Sequence, residues 1–338
     1  MKVDKTVSSM WRYGDVLESG AVGNRVTMGE GWTPLIEAPR TATRLGCIRL
    51  LIKDESQNPT GSFKDRSASY TISALLQAGT KGVVLNSTGN ASAAFAAYAS
   101  RAGIKCVCLV PCDVLEANIH QIQLAGAELL PVDDWESVSK MSDDIAQTRG
   151  FKNISANRTP FRVIGKTTLG YEIVEQLDWH LPDYVVCPTG GGTALLAFKQ
   201  AFDRLKETGD AKGDAPRLII SQYEGCSPIV EAFRAGRKAV KPWGRIDTPR
   251  GGMRTPAPML APAVLDAISN GGAYALSPDA AKTSVQRIAM DDGIFVGLET
   301  GTALAAIECG LGCGEISPHA SIVVVNSVSV LKSDLAFS

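Results

Sequence analysis

A lysine at the start of an expected helix is the first candidate for chemistry in this sequence. In the stretch NPTGSFKDRSASY, Lys64 directly follows Phe63. The residues before them, Gly61 and Ser62, are small enough to leave room for a ligand. In a structural interpretation Ser62 caps the helix, Asp65 complements the helix dipole, and Lys64 points to solvent. In a chemical interpretation apolar surroundings favour the neutral amine, which forms Schiff bases with carbonyl compounds.

A run of glycines is the second candidate. PTGGGTA follows the apolar segment YVVCP, so Gly190, Gly191, Gly192 and Thr193 lie where a strand is expected to lead into a helix. Consecutive N–H groups at a helix N-terminus suit a phosphate dianion. No G-x-x-x-x-G-K-[ST] motif occurs, and Leu195 stands where a dinucleotide fingerprint needs its third glycine. The run is therefore either a plain tight turn or a phosphate site without a nucleotide.

A polar cluster, STGN, follows a third apolar segment. The hydroxyls of Ser87 and Thr88 and the amide of Asn90 either cap the alanine-rich helix expected after them or hold a ring oxygen and a carboxylate. A lysine on a small-residue loop, a phosphate site without nucleotide signatures and this polar cluster are what pyridoxal 5′-phosphate needs. The combination predicts that cofactor.

Strands and helices alternate along the chain. Short β-branched runs precede segments of helical character: GVVLN (82–86), CVCLVP (106–111), AELLPV (127–132), YVVCP (184–188) and RLIISQ (217–222). SIVVVNS (321–327) is the last expected strand. This order predicts βαβ units, parallel sheets and the α/β class. Glycines suited to left-handed helix ends follow four of the helical segments: Gly79, Gly103, Gly126 and Gly209. Loops are expected at residues 30–42 and 241–258.

Composition excludes several functional classes. The chain has 338 residues, 45% of them hydrophobic and 20% charged, and a net charge of −1, so disorder and a nucleic-acid partner are not expected. The N-terminal residues lack the apolar core of a signal peptide and no apolar run is long enough for a membrane span, which predicts a cytoplasmic enzyme. The eight cysteines form no C-x-x-C pair and the three histidines are scattered, so reduced thiols and no metal site are expected.

Six stretches together resemble one enzyme group. They are GEGWTPL, KDESQNPTGSFKDR, NSTGNASAAFAAYASRAG, FRVIGKTTLGYEI, PTGGGTALLAF and EGCSPIVEAF. They resemble threonine synthase and its relatives among the fold type II, or tryptophan-synthase-β-like, pyridoxal-phosphate enzymes, over residues 11–332. The resemblance implies a homodimer and two α/β domains with mainly parallel twisted sheets. Residues 1–80 and 161–338 would form a large cofactor-binding domain, and residues 81–160 a small substrate-side domain.

The resemblance assigns cofactor contacts to matching positions. Lys64 looks like the lysine that binds the cofactor as a Schiff base, and Phe63 flanks the cofactor. Asn90 looks like the hydrogen-bond partner of the ring 3′ oxygen. Gly190, Gly191, Gly192 and Thr193 resemble the phosphate loop. Ser327 stands where the family commonly has a threonine that faces the pyridine nitrogen.

The resemblance also assigns substrate contacts. Ser87, Thr88 and Gly89 would meet the substrate carboxylate, and Arg162 would meet a substrate phosphate or another anion. The reaction implied is that of a carbon–oxygen lyase of amino-acid biosynthesis, converting O-phosphohomoserine to threonine. The alternatives are β-replacement or β-elimination on O-phosphoserine, serine or threonine, as in cysteate synthases, diaminopropionate-forming enzymes and dehydratases, or a catalytically silent relative that binds the cofactor. A nucleotide-dependent transferase is disfavoured because the P-loop lysine is absent.

Two stretches depart from the family pattern. Where relatives end in a motif like TGSGLK, this chain reads SVSVLK, so Val328 and Val330 replace glycines. Where relatives read EGKKT or EGQKT, this chain reads IGKTT, so Ile164 replaces an acid and Thr167 replaces a lysine. The resemblance places these positions near cofactor and substrate, where they bear on the choice of substrate.

Overall fold

The computed structural model describes residues 1–17, 23 and 25–334. The chain divides into two compact units. The first consists of Met1–Trp32, Asn58–Thr168 and Arg250–Gly252, and the second of Thr33–Gln57, Leu169–Pro249 and Met253–Ser338. These bounds differ from those expected, because residues 1–32 and 58–80 belong to the same unit as residues 81–160.

Ten strands and eleven α-helices form the described part of the chain. The strands are β1 (Leu35–Glu37), β2 (Arg49–Asp54), β3 (Gly82–Asn86), β4 (Lys105–Pro111), β5 (Glu128–Val132), β6 (Lys152–Asn153), β7 (Tyr184–Pro188), β8 (Arg217–Tyr223), β9 (Gly272–Leu276) and β10 (Ser321–Asn326). The helices are α1 (Pro39–Leu45), α2 (Lys64–Gln77), α3 (Asn90–Arg101), α4 (Glu116–Leu124), α5 (Val138–Arg149), α6 (Phe161–Gln176), α7 (Thr193–Glu207), α8 (Pro228–Arg234), α9 (Ala261–Ala267), α10 (Pro278–Asp292) and α11 (Leu298–Gly312).

The first unit is built on a four-stranded parallel sheet in the order β5-β4-β3-β6. Alternate residues of β3 enter two different cores. Val83 and Leu85 pack in one core with the alanines and Phe95 of α3. Val84 packs in the other, which includes Val138 of α5. Both faces of the sheet are therefore covered, as the continuous apolar sequence of these strands requires.

The second unit contains a six-stranded sheet in the order β1-β2-β10-β7-β8-β9. All neighbours are parallel except β1, which pairs antiparallel with β2 at the edge. Its main core joins Val186 of β7, Ile219 of β8 and Val324 of β10 to α11, which is buried from Leu298 to Ile307. The predicted α/β class with mainly parallel sheets is confirmed in both units.

Most predicted elements are present. β3 and β7 have the predicted bounds, and Gly79, Gly103, Gly126 and Gly209 have φ angles of 73°, 68°, 71° and 69° as left-handed helix ends require. Residues 241–258 contain no helix or strand, as expected. The loop expected at residues 30–42 is a wrong prediction in part, because β1 and the beginning of α1 lie in it. β1 has only three residues, and its pairing with β2 rather than its own sequence pattern makes it a strand.

All eight cysteines are free thiols, and five of them are buried. The two in β4, Cys106 and Cys108, lie on one face of the strand with their Sγ atoms 3.7 Å apart. Within residues 1–17, 23 and 25–334, no helix combines the length and the apolar character needed to cross a membrane.

Candidate functional site

The loop before α2 places Lys64 as the first residue of that helix. Gly61 has a φ of 77°, a conformation that favours glycine. The buried carboxylate of Asp65 accepts hydrogen bonds from the backbone N–H and the hydroxyl of Thr60, at 2.7 and 2.6 Å. Asp65 therefore holds the loop in a fixed shape, in addition to its favourable position in the first turn of the helix.

The surroundings of Lys64 differ from those of a simple surface residue. Its side chain is half-buried, and its Nζ lies 4.1 Å from the centroid of the Phe63 ring. Phe63 rather than Ser62 occupies the N-cap position of α2, and Ser62 Oγ accepts a hydrogen bond from the N–H of Lys64 at 3.4 Å. The expected solvent-directed lysine is thus replaced by an amine held against an aromatic ring.

The STGN cluster lies between the end of β3 and the beginning of α3. Gly89, with a φ of 133°, precedes the helix, and no side chain caps it. Ser87 Oγ accepts a hydrogen bond from the N–H of Gly89 at 3.2 Å, and in the described residues Thr88 makes no hydrogen bond. The Oδ1 atom of Asn90 is buried and has no partner there. The cluster therefore does not cap α3, and its hydrogen-bonding capacity remains available to a ligand.

Arg162 is a buried cation at the beginning of α6. Its side chain is 7% exposed, its Nη1 donates to the carbonyl of Ile154 at 3.0 Å, and its guanidinium lies 5.2 Å from the Phe95 ring centroid. No carboxylate pairs with it in the described part of the chain, and its Nε has no partner there. Burial lowers the pKa of Arg162 to about 10. A buried charge without a counter-ion is costly and indicates an anion site.

Lys166 was not predicted as a site residue. It is 1% exposed, and its Nζ donates to the carbonyl of Arg162 at 2.9 Å and to Ser67 Oγ. The same Nζ lies 5.5 Å from the centroid of the Phe63 ring. Its position four residues after Arg162, on the same face of a helix, is the one sequence signal that could have identified it.

The departure at Ile164 has a local reason. Ile164 packs against the buried cluster of Met10, Trp11, Leu17, Tyr70 and Ala74. An apolar side chain suits that position, whereas an acidic one would be desolvated there.

The glycine run in the second unit lies between β7 and α7. Gly192 has a φ of 84°, and a β-carbon there would overlap Val264. A β-carbon on Gly191 would meet nothing within 4 Å. In the described residues, the N–H groups of Gly191, Gly192 and Thr193 have no acceptor. Free N–H groups beside open space at a helix N-terminus form a cradle for a phosphate, beyond what a plain tight turn requires.

Ser327 lies at the same sheet edge as the glycine run, because β10 pairs in parallel with β7 and both strands end there. Its buried side chain makes no hydrogen bond in the described part of the chain. Asn326 fixes the strand end, donating to Asp54 at 2.7 Å and accepting from the N–H of Gly297 at 3.0 Å. Val328 packs against Gly297, where a side chain would clash. The hydroxyl of Ser327 is therefore held in place and remains available.

No cluster of three or more histidine, cysteine, aspartate or glutamate side chains in residues 1–17, 23 and 25–334 could hold a metal ion.

Comparison with known proteins identifies the family. Residues 26–328 match the sequence profile of a family described as pyridoxal-phosphate dependent enzyme. The chain belongs to this family. It is 32% identical to the threonine synthase of Methanocaldococcus jannaschii, over 98% of this chain and 82% of that protein. It is 31% identical to the threonine synthase of Methanosarcina acetivorans, over 98% of this chain and 82% of that protein.

The fold of this pyridoxal-phosphate enzyme is also found in solved structures. Maize serine racemase superposes with a TM-score of 0.77 at 21% identity, and the match covers 88% of each chain. The resemblance read from the sequence motifs, the fold type II class and the cofactor are thereby confirmed.

The residues present fit pyridoxal phosphate. In the first unit, the buried Oδ1 of Asn90 lacks a partner among the described residues, and a half-buried amine, Lys64, lies against Phe63. In the second unit, free N–H groups face open space at Gly191, and Ser327 has an unused hydroxyl. These are an amine, a polar contact, a phosphate cradle and a ring contact, the set that the cofactor requires.

Proposed function

We propose that this protein is a threonine synthase, which converts O-phosphohomoserine and water to threonine and phosphate. The observation that carries the proposal is the buried guanidinium of Arg162, which has no carboxylate partner in the described residues. Its planar fork matches a phosphate group and can donate two hydrogen bonds to it. The similarity to archaeal threonine synthases over 98% of the chain supports the same substrate.

The proposed cofactor contacts rest on the resemblance and are supported by the groups available within each unit. In the first unit, Lys64 would hold the cofactor covalently and Asn90 would contact its ring oxygen. In the second unit, the N–H groups from Gly190 to Thr193 would hold its phosphate, and Ser327 would face the pyridine nitrogen. A hydroxyl there does not keep that nitrogen protonated as a carboxylate would, so the ring is a milder electron acceptor.

The remaining steps belong to side chains of this chain. When bound, pyridoxal phosphate withdraws electrons from the α-carbon of an amino acid. Lys64 Nζ, once released, would remove the proton at that α-carbon. In a later step it would carry a proton to or from the side-chain carbons of the substrate. The STGN cluster would orient the substrate through its carboxylate, and Arg162 would hold the phosphate that leaves.

A second candidate is elimination or replacement on O-phosphoserine, which carries the same phosphate on a shorter side chain. The observation that favours it is Thr167, which stands where relatives have a lysine. Thr167 is neutral, so it offers no charge to a longer substrate, and its hydroxyl already donates to the carbonyl of Ile164 at 2.7 Å. The homodimer and the cytoplasmic location are further proposals, which rest on the resemblance and on the N-terminal sequence.

The test is product analysis with a panel of substrates. Purified protein with bound cofactor is incubated separately with O-phosphohomoserine, O-phosphoserine, O-acetylserine and threonine. We expect threonine and phosphate in equal amounts from O-phosphohomoserine and slower reactions with the others. Faster turnover of O-phosphoserine would favour the second candidate, and no turnover of any substrate would favour a catalytically silent relative.

A further inference from the structure

Asn118 in α4 has a buried side-chain amide that lacks a hydrogen-bond partner in the part of the chain that the structure describes. The residue is 1% exposed, and its Oδ1 atom is buried and unpartnered. No hydrogen bond of its side chain is found within residues 1–17, 23 and 25–334. Buried polar side chains are nearly always satisfied, so an amide left in this state calls for an explanation.

The side chain of Asn118 is directed at the STGN cluster. A β-carbon on Gly89 would clash with Nδ2 of Asn118, so the amide is in contact with that glycine. Gly89 precedes α3, a helix of 12 residues without a side-chain cap. The N–H groups of Asn90 and Ala91 have no acceptor in the part of the chain that the structure describes. Free donors of the helix and an unpartnered amide therefore meet at Gly89.

α4 is held in place beside this cluster. Gln121, three residues after Asn118 and therefore on the same side of the helix, donates from Nε2 to the carbonyl of Thr60 at 3.3 Å. Thr60 belongs to the loop that ends at Lys64. Asn118 cannot satisfy its amide by turning to solvent, because its side chain is almost completely covered.

We propose that Asn118 is a further substrate-binding residue, whose Nδ2 donates a hydrogen bond to the α-carboxylate of the amino-acid substrate. The inference rests on the proposed function, since it takes the substrate carboxylate to lie on the free N–H groups at the start of α3. A carboxylate offers about four acceptor positions. The N-terminus of α3 supplies donors from one side, and the amide of Asn118 supplies another from α4.

The experiment compares a substrate with its decarboxylated counterpart. Asn118→Leu removes the amide at similar size, and Asn118→Asp places a negative charge next to the carboxylate. Half-saturating concentrations of O-phosphohomoserine and of 3-aminopropyl phosphate are measured from the absorption of the bound cofactor. Losing a hydrogen bond to a charged group should raise the value for O-phosphohomoserine roughly 10- to 100-fold in either variant. The value for 3-aminopropyl phosphate should change by less than about twofold.

Thermal unfolding without substrate separates binding from folding. Asn118→Leu removes no hydrogen bond of the folded chain, so its thermal midpoint should not fall. Gln123→Leu and Gln123→Glu, at an exposed position of the same helix, are the matched controls. They should leave the half-saturating concentrations of both ligands unchanged. Equal effects of the Asn118 variants on both ligands, or a lower midpoint with unchanged ligand binding, would overturn the inference.

Failure of the proposed function would look different. If the wild-type protein does not respond to O-phosphohomoserine, the same comparison is made with L-serine and ethanolamine, which also differ by the carboxylate alone. Selective weakening of L-serine binding in the Asn118 variants would support the carboxylate contact for another amino-acid substrate. Equal binding of L-serine by wild type and variants would contradict it.

Discussion

α3 in the first unit and α7 in the second both begin after a glycine with a positive φ angle, and neither has a side-chain cap. The surroundings of the two glycines differ. Gly89 is in contact with the amide of Asn118 and is followed by the unpartnered amide of Asn90. Gly192 is in contact with the apolar Val264, and its neighbour Gly191 faces open space.

The difference indicates two kinds of recognition. Backbone N–H groups alone can bind a phosphate dianion, which has many equivalent acceptors and little directional demand. Side-chain amides add direction, which suits a carboxylate or a ring oxygen that must be held in one orientation. We therefore expect substitutions near α3 to change substrate or chemistry, and substitutions near α7 to change retention of the cofactor.

The largest effect is expected from Lys64→Ala. Loss of the amine removes both the covalent attachment of the cofactor and the group that moves the α-proton, so turnover should fall by roughly a thousandfold or more. The purified variant should lack the yellow colour of the wild type, while its circular dichroism spectrum remains unchanged. A variant that keeps borohydride-reducible cofactor on the same peptide would show that Lys64 is assigned incorrectly.

Arg162→Lys tests the anion site in the first unit. Lysine keeps the charge but not the two-pronged geometry, so KM for a phosphorylated amino acid should rise about 10- to 100-fold, a loss of about 1.5–3 kcal/mol. Burial lowers the pKa of Arg162 to about 10, below its ordinary value. The folded protein therefore bears the full cost of the buried charge below pH 10, and this cost decreases only as the pH rises above about 10. At pH 7–9 the guanidinium is charged and able to bind phosphate.

Arg158→Lys is the control for that variant. Arg158 is exposed and pairs with Asp143, so its replacement should leave KM unchanged. Equal losses for phosphorylated and unphosphorylated substrates in Arg162→Lys, or a lower thermal midpoint with normal kinetics, would mean that Arg162 is a structural residue.

Gly191→Val tests the backbone cradle in the second unit. A β-carbon at this position meets nothing within 4 Å in the described residues, so the fold should persist while the cofactor phosphate is blocked. Affinity for the cofactor should fall roughly tenfold or more, as measured by equilibrium dialysis. Gly192→Ala should instead lower stability by about 1–2 kcal/mol or more, because its backbone is left-handed and Val264 leaves no space. Unchanged cofactor affinity in Gly191→Val would argue against the cradle.

The smallest effect is expected from Ser327→Ala. The hydroxyl has no partner in the described residues, so its loss should not reduce stability. A neutral hydrogen bond to the cofactor is worth about 1 kcal/mol, which corresponds to a roughly fivefold change in turnover with a shift in cofactor absorption. Ser329→Ala is the comparison, since Ser329 Oγ accepts from the N–H of Leu331 within its own turn. An absorption spectrum of Ser327→Ala identical to that of the wild type would show that Ser327 does not contact the cofactor ring.

Local patterns predicted six of the ten strands in the described residues, because those six are short apolar runs between glycines and polar residues. GVVLN and YVVCP match β3 and β7 for that reason. α11 was not predicted, since it is buried on all sides from Leu298 to Ile307 and there lacks the alternation of apolar and polar faces that marks a surface helix.

The candidate site was predicted through motifs, and its tertiary contacts were not. Lys64 and the glycine run were identified in the sequence by residue type and position. The unpartnered amide of Asn118 depends on its contact with Gly89, 29 positions earlier in the chain. The burial of Arg162 beside Phe95 likewise arises from packing between helices, which no local pattern records.

The most direct test of the account is to locate the cofactor on the wild-type protein. The protein with bound pyridoxal phosphate is reduced with borohydride and digested, and the modified peptide is sequenced by mass spectrometry. We expect one modified residue, Lys64, in the peptide that contains NPTGSF. Modification of Lys166, whose Nζ lies 5.5 Å from the centroid of the same Phe63 ring, or bound cofactor without any modified lysine, would contradict it.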